Sequence, residues 1–336
     1  MSEQKTPTFK NRFLRRWLPT IVSLAALAAV IVYLGRSKLF DRLDLSHPQW
    51  GWLAALVVLQ AFSMAVIGYS EALYVRHLGA NLTFVEWFGL NVTSTVVNLV
   101  TPIAGGAVLR AGYYQWQHKL HPARFTPLLA ANSLITYLVS GLLGLAVLGV
   151  FLLAGLGPTV SWIAPLICVV LIAAPLVMFV IPVERLPLPK GRIANLLRLA
   201  LDGWADIRTS PSLLVRQVGL VVVLEVLQSA AMIVSVLGLG QPAPLLPLIF
   251  LGIVLSAWRV TPAFGIGGKE VIATLAAPLV GLDWTLGLLG SLAGRLANWV
   301  CVFTLGPLFS YLLTRRVGVS LSEISAAGKS DIVPTE

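Results

Sequence analysis

Six stretches of this chain are apolar over most of their length: Leu18 to Leu34, Trp52 to Val75, Pro127 to Leu156, Trp162 to Ile181, Leu213 to Leu237 and Trp284 to Leu313. About 20 such residues make one bilayer-spanning helix. The chain is therefore expected to be an all-α polytopic membrane protein with about six spanning helices. Composition agrees: the 336 residues are 57% hydrophobic and 11% charged, with a mean hydropathy of +0.86. In a soluble domain about a quarter of residues are charged.

A net charge of +10 could point to nucleic acid, but the cations are not clustered as a binding patch. Of the 24 Lys and Arg, all but Arg36, Lys38, Arg42, Arg259, Lys269 and Arg295 fall on segments that alternate with the apolar runs on one side. This is the positive-inside distribution, so no nucleic-acid partner is expected and both termini are placed in the cytoplasm of a cell with this protein in its inner membrane. Basic residues ahead of Leu18 give the start the look of a signal peptide. The run leads into Gly35-Arg36-Ser37-Lys38 without a small-residue cleavage box, so it is read as an uncleaved first helix. The expected organisation is a basic cytoplasmic tail over 1–17, a membrane domain over 18–315 with halves at about 18–156 and 160–315, and a cytoplasmic tail over 316–336. Between the halves, Leu196, Leu197, Ala200, Leu201, Trp204 and Ile207 recur at helical spacing among Arg and Lys, which predicts an amphipathic helix on the cytoplasmic surface.

Two further apolar stretches are broken. Val100-Thr101-Pro102-Ile103-Ala104-Gly105-Gly106 interrupts one, and Val260-Thr261-Pro262-Ala263-Phe264-Gly265-Ile266-Gly267-Gly268 interrupts the other. Neither stretch has pieces comfortably long enough to span, so each is expected to form a re-entrant hairpin, the first opening to the cytoplasm and the second to the outside. A shift of 160 residues puts Thr101 on Thr261, Pro102 on Pro262, Gly105 on Gly265 and Arg110 on Glu270. Matched Gly/Pro interruptions in two halves mark a transport site built from broken helices in an inverted-topology repeat.

The breaks also specify a chemistry. Half-helices starting near Gly106 and Gly267 aim unpaired N–H groups and a positive dipole end at mid-membrane, which suits an anion. Irregular backbone at that depth must be shielded or line a polar cavity. The alternative role for the Gly and Pro residues is tight helix packing. Charge in the same region adds candidates: Arg110, Arg259, Lys269 and Glu270 cluster around the tips, and Glu225 and Arg295 sit near the centres of their spans. Each of the latter two costs at least about 2.5 kcal/mol unless paired or hydrated. Glu225 and Arg295 are therefore either partners in an ion pair or substrate groups, and the pseudo-two-fold is expected to bring Arg110 and Glu270 together. Glu71 is assigned to snorkelling or a local pair with Arg76, and Glu86 to the interface.

Other patterns carry less. His118 and His121 lack further ligands and read as headgroup contacts rather than zinc ligands; no metal and no cofactor is expected. Asn81-Leu82-Thr83 and Asn91-Val92-Thr93 match the glycosylation pattern but fall inside or in the membrane. Cys168 and Cys301 lie in apolar runs, where Cys is a small buried hydrophobe.

The stretch from Asn98 to Arg110, the Gly-Ile-Gly-Gly-Lys-Glu of residues 265–270 and Gly294-Arg295-Leu296 resemble the signature regions of the lysylphosphatidylglycerol synthase transmembrane family, the flippase-like domain, over roughly residues 15 to 315. The resemblance implies an inner-membrane protein that moves lipids or lipid-linked precursors between leaflets, with Arg110, Gly267, Gly268, Lys269, Glu270 and Arg295 at motif positions. The soluble aminoacyl-transfer domain of the namesake enzymes is not seen, so lipid aminoacylation is not expected.

Together these residues point to a transporter of an anionic phospholipid or polyprenyl-linked lipid, and not to an enzyme. The alternative is an accessory subunit or an intramembrane enzyme of cell-envelope lipid biosynthesis, for which only Glu225 and Glu270 offer acid–base groups. The partners expected are membrane lipids, with a second copy of the chain or envelope-biosynthesis enzymes left open. The candidate site is Thr101, Pro102, Gly105, Gly106, Arg110, Glu225, Arg259, Thr261, Pro262, Gly265, Gly267, Gly268, Lys269, Glu270 and Arg295.

Overall fold

The computed structural model describes residues 49–100, 105–120, 122–180, 207, 209–259 and 268–317. Every regular element among them is helical. They are α1 (Trp50–His77), α2 (Phe84–Val100), α3 (Gly105–His118), α4 (Pro122–Leu153), α5 (Ile163–Val180), α6 (Pro211–Gly238), α7 (Leu245–Arg259), α8 (Gly268–Ala276) and α9 (Trp284–Val317). Short 3-10 turns occupy Gly157–Thr159 and Ala277–Val280.

Four helices, α1, α4, α6 and α9, are long and apolar enough to cross a membrane. At 28 residues α1 covers roughly 40 Å, more than the ~30 Å hydrocarbon core. The spans expected at 52–75, 127–156, 213–237 and 284–313 correspond to these four. The one expected at 162–181 is α5, which at 18 residues is at the lower limit of a crossing length. The first apolar run, the N-terminal tail, the C-terminal tail beyond Val317 and the amphipathic segment, Ile207 apart, lie outside the described residues.

Local signals fix several ends. Thr83 and Glu86 make one half of a capping box at the start of α2, the Glu86 carboxylate accepting from the Thr83 N–H and hydroxyl, each at 2.7 Å. Pro211 opens α6 at a position where no N–H is needed. Beyond α1, Gly79 takes a left-handed φ of 94°, which turns the chain toward α2.

Packing is reciprocal between the halves. α1 lies antiparallel on α6, with the Gln49 N–H on the Gly238 carbonyl at one end and Ser70 bonded to Gln217 at the other. α2 packs on α1 and also on α9, while α7 packs on α6 and also on α4. Two apolar clusters hold the ends. One gathers Leu73 and Tyr74 of α1, Tyr113 and Tyr114 of α3, Leu128 and Ile135 of α4, and Leu213 and Val221 of α6. The other gathers Leu148 and Phe151 of α4, Met232 and Val236 of α6, Phe250 and Leu255 of α7, and Ala273 and Ala276 of α8. Since α4 and α6 both begin in the first cluster and finish in the second, α3 lies at one end of the bundle and α8 at the other. The outer surface bears Leu152, Leu153, Val170, Val226, Val300 and Phe303 exposed, an apolar girdle suited to lipid.

Candidate functional site

The α1–α6 seam is polar within its apolar flanks. The Ser70 hydroxyl donates to Gln217 Oε1 at 2.6 Å and Gln217 Nε2 donates back to the Ser70 carbonyl at 3.0 Å; farther along, Gln228 Nε2 donates to Ser63 Oγ at 3.3 Å. Gln228 also lines a narrow cleft of about 10 Å³, enough for roughly one water molecule, together with Gln60, Ser235, Lys269, Ser291 and Gly294. Lys269, the second residue of α8, is the charged member of that lining, and the buried Ser291 hydroxyl there has no hydrogen-bond partner. Gln60 comes from the first half of the chain and Ser291 from its last helix, so the cleft exists only when both halves are assembled.

The residue after Lys269 has a different task. Glu270 is 1% exposed and receives the Arg295 guanidinium of α9 in a two-pronged pair, Nη2 donating to Oε2 at 2.7 Å and Nε donating to Oε1. The planar fork of Arg matches a carboxylate in this way. The pairing of Arg295 with Glu225 considered from the sequence is thus corrected: Glu270 neutralises Arg295. Glu225 instead accepts from Ser140 Oγ at 2.5 Å, with Ser256 and Arg259 as its other polar neighbours.

The first break is built differently. Arg110 of α3 pairs with Glu71 of α1, which corrects two expectations at once. Arg110 is not joined to Glu270, and Glu71 is not a local partner of Arg76, whose Nε donates to Asn81 Oδ1 at 3.1 Å. The Arg110 Nε is buried without a partner. At the start of α3 the Gly106 N–H donates to Asn98 Oδ1 at 2.8 Å, so one orphan donor of that N-terminus is already satisfied from α2. A Cβ at Gly106 would stand 2.4 Å from the Ser94 carbonyl oxygen, so glycine is needed there for helix contact. Gly149, by contrast, faces open space. Gly106→Ala is expected to lower the unfolding midpoint in detergent by an amount equivalent to about 1–3 kcal/mol, whereas Gly149→Ala should leave it unchanged or raise it. Equal effects would show that the α2–α3 contact is not tight.

Of the other sequence candidates, Thr101, Pro102, Thr261, Pro262, Gly265 and Gly267 lie outside the described residues, while Gly105 and Gly268 are the first residues of α3 and α8. His118 bonds Glu86 at 3.1 Å instead of facing headgroups, and Tyr113 reaches the same carboxylate at 3.2 Å. Asn91 is buried with its amide on the Met64 carbonyl at 2.7 Å, which removes it as a glycosylation site. Sequence reasoning passed over Ser140, Gln60, Gln228 and Ser291. A signal for part of this was present: Gln217, Glu225, Gln228 and Ser235 recur at three- to four-residue multiples along α6 and mark one polar face.

Comparison with known proteins bears on the whole of this architecture. Searches of curated proteins and of solved structures return no match. The family profile described as "Lysylphosphatidylglycerol synthase TM region" matches residues 20–306, a range that takes in both broken segments, the cleft and the Glu270–Arg295 pair. The chain belongs to the lysylphosphatidylglycerol synthase TM region family, and its role is tied to membrane lipids.

Proposed function

We propose that this protein moves an anionic phospholipid or a polyprenyl-linked lipid between the leaflets of the cytoplasmic membrane, the headgroup passing through the polar cleft while the hydrocarbon tails stay in lipid. The cleft carries the reading. A Lys amine, an unpartnered Ser hydroxyl and two Gln side chains converge at the N-terminal end of α8, amid helices with apolar outer faces. Polar groups in that position mark a solute path by default. A phosphate would meet one cation and several neutral donors there, while the Arg295 charge is already cancelled by Glu270.

The proposal includes an inverted-topology repeat with α2–α3 and α7–α8 as re-entrant hairpins and both termini cytoplasmic. Its support is the exchange symmetry of the packing. Swapping halves takes the α2–α9 contact onto α7–α4 and returns the α1–α6 contact to itself. The two hairpins sit at opposite ends of α4 and α6, as alternating access about a central site requires.

Two measurements test this reading. Both native cysteines are buried, so single cysteines at Lys119 and Asp283 can be labelled in the parent background. They are expected to react from opposite faces, Lys119 from the cytoplasm; reaction from one face rejects the inverted repeat. In proteoliposomes the parent should exchange at least one member of a panel of phospholipids and polyprenyl-phosphate sugars at ten or more times the rate of empty vesicles. If none moves and none binds, the transport reading fails and an accessory-subunit role takes its place.

A further inference from the structure

Glu225 lies in the middle of α6 at 1% exposure, and no ion pair among the described residues includes it. Three helices meet there. Ser140 of α4 donates to Glu225 Oε1 at 2.5 Å, while Oε2 is buried with no hydrogen-bond partner. The third helix is α7, and its register on α6 is fixed one turn away. A Cβ built on Gly252 would stand 2.5 Å from Ser229 Cα, and Ser229 Oγ donates to the Ile249 carbonyl at 3.2 Å. Residues 239–244 return α7 antiparallel to α6, so four residues onward from Gly252 and four back from Ser229 bring Ser256 opposite Glu225. The Ser256 hydroxyl is likewise 1% exposed and without a partner. A carboxylate oxygen and a hydroxyl, both buried and unpartnered, thus face each other from adjacent helices, with the Ser140 hydroxyl closing a third side.

We propose that Glu225, Ser140 and Ser256 form a site for one dehydrated sodium ion, which joins the first half of the chain through α4 to the second through α6 and α7. Every donor is an oxygen, the ligand type that hard cations take. The three side chains carry a single negative charge, so a monovalent ion leaves the site neutral. A divalent ion would keep net charge in a water-poor interior at high cost. Ser140 Oγ and Glu225 Oε1 are only 2.5 Å apart, and donors set so closely favour a small ion over potassium. Ser256 also lies in the last turn of α7, where the helix dipole presents its negative end. The C-terminal ends of interrupted helices are where transporters hold sodium. Other cations nearby are engaged elsewhere or turned away. Arg110 pairs with Glu71 and Arg295 with Glu270, Lys269 lines the cleft farther along α6, and Arg259, which ends α7, is exposed.

The test uses the full chain in detergent at fixed pH and ionic strength, with sodium chloride exchanged against potassium chloride or choline chloride. Unfolding midpoints and the binding of radioactive sodium are read together. The parent should bind one sodium ion per chain, and its midpoint should climb with the logarithm of sodium concentration once the site fills. Potassium and choline should leave the midpoint flat. Ser256→Ala removes an unpartnered hydroxyl, so it should fold as the parent does yet need at least about tenfold more sodium for half-saturation, the loss that even an outer-shell partner of a metal causes. Glu225→Gln should bind none. Ser94→Ala deletes an equally buried and unpartnered hydroxyl of α2 and should bind sodium as the parent does. A parent that binds no sodium or responds equally to potassium would overturn the site, as would parental affinity in Ser256→Ala or binding that persists in Glu225→Gln. Sodium dependence that appears only in Arg259→Gln would overturn it too, by making that guanidinium the counter-ion. None of these outcomes touches the lipid reading of the cleft.

Discussion

Glu270→Gln is expected to destabilise the protein by about 3–5 kcal/mol, because it leaves the largely buried Arg295 guanidinium without its carboxylate. Arg295→Gln should cost a similar amount by stranding Glu270. The double substitution removes both charges, so its cost should fall short of the sum by about 0.5–3 kcal/mol. Unfolding midpoints in detergent, with denaturant series to convert them, give all three values. Glu225→Gln combined with Arg295→Gln is the control and should add simply, since each of those groups has other partners. Additivity within the Glu270–Arg295 set, or coupling within the control, would mean that the two buried pairs are assigned wrongly.

The second large effect falls on function. Lys269→Ala removes the charged side chain of the cleft without stranding a carboxylate, since Glu270 keeps Arg295. A charge-assisted hydrogen bond contributes about 1.5–3 kcal/mol, so binding of an anionic lipid should weaken by roughly ten- to a hundredfold. The melting midpoint should move little, and Lys269→Arg should recover part of the affinity. Arg110→Ala, which composition alone would treat as equivalent, differs because it leaves Glu71 unpaired at 8% exposure. Its loss should appear first in stability. Lipid binding by Lys269→Ala that matches the parent would remove the cleft from the transport path.

The long helices were legible because nothing competes with an apolar run of that length. Trp52 to Val75 became α1 with two residues added at each end, while the breaks expected at Pro102 and Pro262 lie outside the described residues. The partners of the buried charges were not legible. Glu71 and Arg110 are 39 residues apart, and Glu270 and Arg295 are 25 apart. Which carboxylate meets which guanidinium depends on how a short helix crosses a long one, and neither periodicity nor a shift between halves encodes that crossing. The shift that aligned Arg110 with Glu270 located equivalent positions in two repeats, which is different from locating contacts. The cleft was half legible: Lys269 was in view, whereas Gln60 and Ser291 look like ordinary polar interruptions until the helices that carry them are brought together.

The separation between Glu270 and Arg295 has a consequence for biogenesis. The ribosome delivers α8 before α9, so for the time needed to add 25 residues the carboxylate is without the Arg295 guanidinium that pairs with it. A half-inserted hairpin carrying Lys269 and Glu270 cannot settle into lipid at that stage, since ionised groups at depth are strongly disfavoured there. It must wait in the wet interior of the insertion machinery, or against the polar face of α6, until Arg295 emerges. Final closure of the bundle is thereby tied to completion of its last helix, and a chain truncated before residue 295 should be recognised as unfinished by the quality-control proteases of the membrane.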